Sequence, residues 1–183
     1  TFESIKASSP MSNSNMPRQY HKIIFELKPD EDNYPPVTAE SLWGILREPN
    51  SYEIDNAPYY AYGISKGDYV STINKNSKLV ASNVIQQGGH STLRVFAENS
   101  FDKKNIIKNI EKMGAACAST ENISLFSVDI PNNCDFFAID KYLSSISDGE
   151  NIAYEDACLQ HDNMDQARYI ECLSLASITN IRH

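Results

Sequence analysis

Along residues 22–28, Ile23, Phe25 and Leu27 alternate with Lys22, Ile24 and Glu26, the two-residue period of a half-buried strand. Further short strands are predicted at residues 43–48, 51–55, 68–74 and 78–86. Turn chemistry divides them, at Glu48-Pro49-Asn50, at Ser65-Lys66-Gly67-Asp68 and at Asn74-Lys75-Asn76-Ser77. Residues 37–43 read as a short helical turn, with Thr38 as its cap and Glu40 near its start. After Gly88-Gly89 the alternation of Leu93 and Phe96 with Thr92 and Arg94 predicts one more strand, residues 91–97.

Beyond residue 97 the period lengthens. Ile106, Ile107, Ile110 and Met113 fall on one face of a helix that starts at Ser100 or Asp102 and ends before Gly114. Residues 124–130 predict a strand. A second helix spans about residues 134–147, burying Phe136, Ile139, Leu143 and Ile146 before Asp148-Gly149. Residues 151–161 form a short segment that closes the core, and the apolar positions from Met164 to Ala176 recur at roughly helical spacing.

These elements predict an α+β protein. A β-rich half, residues 21–97, forms a curled sheet or small barrel that removes exposed edges. A β-α-β-α (ferredoxin-like) half, residues 98–161, follows, with a crossover placing its two strands side by side. Residues 1–20, rich in Ser, Asn and Pro, read as a flexible tail or extension, and residues 162–183 as a C-terminal helical extension. The strand at residues 91–97 is the seam between the halves.

Composition narrows the function classes. At 183 residues with 41% apolar content, the chain suits one well-buried core. No apolar run approaches the roughly 18–20 residues of a membrane-spanning helix, and no export signal is evident, so a cytoplasmic protein without membrane contact is expected. The net charge of −8 disfavours nucleic acid as a partner and favours a basic protein. Cys117, Cys134, Cys158 and Cys172 are too scattered for a structural zinc site and are expected as free thiols.

The runs DEDNYPPVTAESLW from Asp30, IDNAPYYAYGISKGDYV from Ile54, GHSTLRV from Gly89 and YEDACLQH from Tyr154 carry a resemblance. In order and spacing the chain resembles, over residues 21–161, the bacterial domain-of-unknown-function family 4265. The resemblance implies a small, soluble bacterial protein and supplies no established activity. By analogy of size and character it points to an immunity protein, an antitoxin that neutralises a toxin of the same cell.

The candidate chemistry is weighed against that reading. His90 and Ser91 suggest a base and a nucleophile, but adjacent strand residues point to opposite faces. His90, Ser91 and Arg94 are expected instead to hold the seam, with Arg94 reaching Glu40, Asp68 or Glu155. Cys158 and His161 have the spacing of two metal ligands on one helical face, without the further ligands a closed site needs, so no cofactor or metal is expected. Lys104, Lys108 and Lys112 read as the solvent face of the first helix. The expected function is occlusion of a basic, nuclease-type toxin. Candidate contacts are the acidic residues Asp30, Glu31, Asp32, Asp148, Glu150, Glu155 and Asp156, and the aromatic anchors Tyr59, Tyr60 and Tyr62. The alternative is a small hydrolase or ligand-binding enzyme with a site around His90, Ser91 and Arg94.

Overall fold

The computed structural model describes residues 17–180; most of the expected N-terminal tail lies outside the described residues. Five strands come first: β1 (Tyr20–Glu26), β2 (Ala39–Glu48), β3 (Ser51–Ile54), β4 (Tyr69–Lys75) and β5 (Lys78–Gln86). Each pairs antiparallel with the next, and Ile23-Ile24 of β1 pairs parallel with Leu79-Val80 of β5. The ladder therefore closes on itself as a small barrel. Ile23, Phe25, Leu42, Ile54, Val70 and Val84 fill its interior, each such side chain contributing about 1.5–3 kcal/mol through burial.

The short helix expected at residues 37–43 is absent, because Ala39–Leu42 pair with Ile23–Glu26 as the start of β2. A local capping pattern lost to a ladder of backbone hydrogen bonds and a buried Leu42. Glu40 caps backbone elsewhere, as described below.

The second half comprises β6 (Ser91–Ala97), α1 (Ser100–Lys112), β7 (Ala116–Ser119), β8 (Leu125–Ile130), α2 (Phe136–Ile146) and β9 (Ile152–Cys158). Its sheet runs β7-β8-β6-β9 with every neighbour antiparallel, the β-α-β-β-α-β element order of a ferredoxin-like unit. The expected β-α-β-α repeat lacked β7. With that strand inserted, β6 and β8 lie side by side as expected but run antiparallel. Asn99 caps α1, its side chain accepting from the N–H groups of Phe101 and Asp102, in place of Ser100 or Asp102. Asp135 caps α2 through Ala138 N–H.

Both helices cover the face of this sheet that carries Leu93, Val95, Phe126, Val128 and Ile130. The opposite face, bearing Thr92, Arg94, Ser127 and Asp129, turns toward the barrel. After β9 the chain forms α3 (Gln166–Ser174) and then returns to the barrel, where β10 (Thr179–Asn180) pairs parallel with Asn83-Val84 of β5.

Candidate functional site

The seam is built by the connector between β3 and β4, residues 55–68, which crosses the second face of the four-stranded sheet. One carboxylate shapes it. Glu40 accepts the N–H groups of Tyr59, Tyr60 and Ala61 at 2.6, 2.9 and 2.9 Å, three charge-assisted bonds that fix consecutive residues. From there Tyr59 Oη donates to Ala118 O in β7 at 2.9 Å. At the other edge Gly63 N–H donates to Ala157 O in β9 at 2.9 Å. The connector thus spans the sheet from edge to edge.

Arg94 is the centre of this crossing. Its side chain is fully buried, donates to Glu155 Oε1 at 3.1 Å and to Ala61 O, and places its guanidinium carbon 4.2 Å from the centre of the Tyr62 ring. Tyr62 Oη donates to the same Glu155 carboxylate at 3.0 Å. Burial, followed by the Glu155 charge, raises the Tyr62 pKa and keeps its proton in place as a donor. Of the three carboxylates within expected reach of Arg94, the structure selects Glu155.

Ser91 is also fully buried. His161 Nε2 lies 3.0 Å from Pro131 O, and a carbonyl only accepts, so Nε2 carries the proton and Nδ1 presents its lone pair. Ser91 Oγ donates to that Nδ1 at 2.7 Å and accepts from the N–H groups of Gln160 and His161 at 2.8 and 3.2 Å. A hydroxyl held by three partners and closed off from solvent braces β6 against the segment that follows β9. His90 is not its base. Instead His90 Nδ1 donates to Asp129 Oδ1 at 2.6 Å, and the ring keeps partial exposure.

A buried carboxylate, Asp68, joins the barrel to the Gly88-Gly89 hinge between the halves. Asp68 accepts from Ser65 N–H and Gly88 N–H at 2.8 Å each, and from Gln160 Nε2 at 2.9 and 3.0 Å. Gln160 Oε1 accepts from Gly89 N–H at 2.8 Å. Burial outweighs these bonds and pushes the Asp68 pKa up to about 6. Ser65 Oγ meets Thr92 Oγ1 at 2.7 Å within the same network. Cys158 lies beside it on β9, and burial pushes its thiol up to about 12, far from a reactive thiolate. Cys158 ends a strand and His161 is bonded to Ser91 and Pro131, so the two do not share a helical face.

The acidic candidates divide into committed and free. Asp156 is held by Arg168 of α3 through bonds of 2.6 and 2.7 Å, and the same guanidinium grips Asp140 at 2.8 and 3.0 Å. Asp30 accepts from Asp32 N–H and Tyr34 N–H at 2.9 Å. Asp148 accepts from Ile152 N–H, from the Asn151 side-chain amide and from the N–H groups of Glu150 and Asn151, which holds its carboxyl well below the usual range. Glu155 belongs to Arg94 and Tyr62. Glu31, Asp32 and Glu150 are exposed, with no side-chain partner among the described residues. Tyr59, Tyr60 and Tyr62 are half-buried in the connector and pack toward the seam, so the structure does not present them as a free aromatic surface. Sequence reasoning missed Asp129, Gln160, Ser65 and Arg168, whose partners lie 12 to 92 residues away.

Residues 40–154 match the model of a family described as Domain of unknown function (DUF4265). No curated protein matches the chain. The chain is similar to a crystal structure of a hypothetical protein from Neisseria gonorrhoeae, with TM-score 0.64 and 17% identity over 81% of this chain and 99% of that one. At that identity the likeness is one of fold.

Proposed function

The chain belongs to this family of unknown function, and we propose that it is a binding protein of the immunity type, which occludes a basic, nuclease-like toxin in the cytoplasm of the cell that makes both. One observation carries the reading. At the seam Ser91 and Arg94 are closed in and committed, to His161 and Glu155, while Glu31, Asp32 and Glu150 expose uncommitted negative charge. Charge of this kind steers encounter with a basic protein, and lasting affinity comes from apolar anchors within the contact. No helix among the described residues is long and apolar enough to cross a membrane.

Affinity purification of the tagged protein from its native cell, with mass spectrometry of the bound material, is the test. The expected result is one stoichiometric basic protein that stops growth when expressed alone and is harmless when co-expressed with this chain. Recovery of the protein without a partner overturns the reading.

The alternative, a small hydrolase or ligand-binding enzyme around His90, Ser91 and Arg94, has one observation in its favour: Asp129 orients the partly exposed His90 ring through Nδ1. The burial of Ser91 and Arg94 weighs against it. A hydrolytic activity abolished by His90→Ala, with the fold intact, would reverse the order of the two readings.

A further inference from the structure

We infer that the partner docks on the end of the four-stranded sheet where β6 stops and β8 and β9 begin; this rests on the reading of the protein as a binder of a basic protein. Three connections meet there. Ala97 N–H donates to Ser124 O at 3.1 Å, Glu98 N–H donates to Asn151 O at 2.9 Å, and Lys103 Nζ reaches across from α1 to Thr120 O and Ile123 O. These bonds hold residues 97–102, 119–124 and 147–152 together as one end of the sheet.

This end exposes apolar side chains that its own fold leaves uncovered. Phe101 is 70% exposed, Ile123 39% and Phe96 37%. Phe96 lies between Leu125 and Ala153 in register, on the face away from the helices. Exposed large apolar groups at one end of a sheet are a feature by which interaction surfaces are marked.

The surrounding charge selects the occupant. The three connections carry Glu98, Asp102, Glu121, Asp148 and Glu150, and no Lys, Arg or His. Of the two lysines that follow in α1, Lys103 is buried and turned inward to its two carbonyls, and Lys104 is exposed. Exposed apolar groups on connections whose own charges are all acidic, with Lys104 of α1 exposed beside them, fit a protein that presents cationic side chains around an apolar anchor, the arrangement in which rim charge sets the rate of encounter and buried anchors set the lifetime. A nucleic acid would be repelled. A second copy would bring like charge against like.

The probe is a synthetic amphipathic peptide of lysine and leucine, titrated into the full-length isotope-labelled protein and followed by amide chemical shifts, with a glutamate-leucine peptide as control. Shifts concentrated at residues 96–101, 120–124 and 148–151, weakened by salt and absent with the control, are expected. The double variant Phe96→Ser/Phe101→Ser, at exposed positions, should keep the wild-type spectrum elsewhere and bind at least tenfold more weakly. Shifts spread over the acidic surface, or centred on Glu31 and Asp32, overturn the assignment. So does a concentration-dependent dimer that the double variant abolishes, which would show a second copy as the occupant. If a toxic partner is found and the double variant still neutralises it, this surface is wrong and the immunity reading stands. If no partner exists, that reading fails, whatever the peptide does.

Discussion

At Asp68 burial and hydrogen bonding pull in opposite directions, and the balance is visible in how stability should depend on pH. Its folded-state pKa, pushed up to about 6, exceeds the ordinary 3.8, so the native state takes up the proton first. The contribution of this group is therefore greatest below pH 4 and is lost as pH rises through 6, by on the order of 3 kcal/mol. Urea unfolding of the wild type and of Asp68→Asn between pH 4 and 7 should give a stability difference that changes across this window. A difference independent of pH would mean that the four N–H bonds win. Arg94 makes the complementary case. Arg94→Leu should cost about 2–4 kcal/mol, because it strips the cation from Glu155 and the partner from Ala61 O; unfolding free energy measures this directly. The seam residues His90, Ser91 and Arg94 were legible in the sequence because a polar set on an otherwise apolar strand marks a junction. Apart from Glu155, one of three carboxylates expected for Arg94, their partners were not, since nothing local connects Ser91 with His161 or Arg94 with Ala61.

Among elements, the strands of the barrel were readable because each has one buried face. β7 was not, because Ala116, Cys117, Ala118 and Ser119 give no contrast between large apolar and polar positions. The false helix at residues 37–43 shows the opposite error, in which a good local capping pattern lost to strand pairing. The hinge has its own requirement. A Cβ on Gly88 would fall 2.4 Å from the carbonyl carbon and oxygen of Gly67, where only backbone could yield. Gly88→Ala should lower stability by about 2 kcal/mol or more and disturb amide shifts in both halves. Docking of α3 depends on Arg168 between Asp140 and Asp156. Arg168→Ala should raise amide exchange across residues 166–174 by about tenfold or more while leaving β6 protected. The Arg168 hydrogen bonds hold the Asp140 pKa below 3.8. Their contribution is thus complete above 3.8 and is lost as pH falls through the lower folded value, so acid should release α3 in the wild type as well.

For the molecule as a whole, the two cores are separate clusters, yet the connector, Asp68, Gln160 and β10 cross between them. The expected equilibrium behaviour is a single unfolding transition, with aromatic fluorescence and far-ultraviolet dichroism giving coincident midpoints. Two resolved transitions would show that the seam network is too weak to couple the halves. The division into a β-rich half and a helix-containing half could be read from the change in hydrophobic period. The choice between a curled sheet and a closed barrel could not, because the β1–β5 contact that closes it joins residues 56 apart through only two paired positions.

The order of elements also sets a sequence of events at the ribosome. The strands that close the barrel are all made once Gln86 has emerged, but residues 55–68 are then a connector without the sheet it crosses. Tyr59 and Tyr62 acquire their partners Ala118 and Glu155 only after a further 32 and 69 residues have been synthesised beyond Gln86. The growing chain therefore passes through an interval in which a finished barrel displays unsheltered tyrosines, and slow synthesis between residues 86 and 155 would lengthen the time in which chaperones or like chains can capture it.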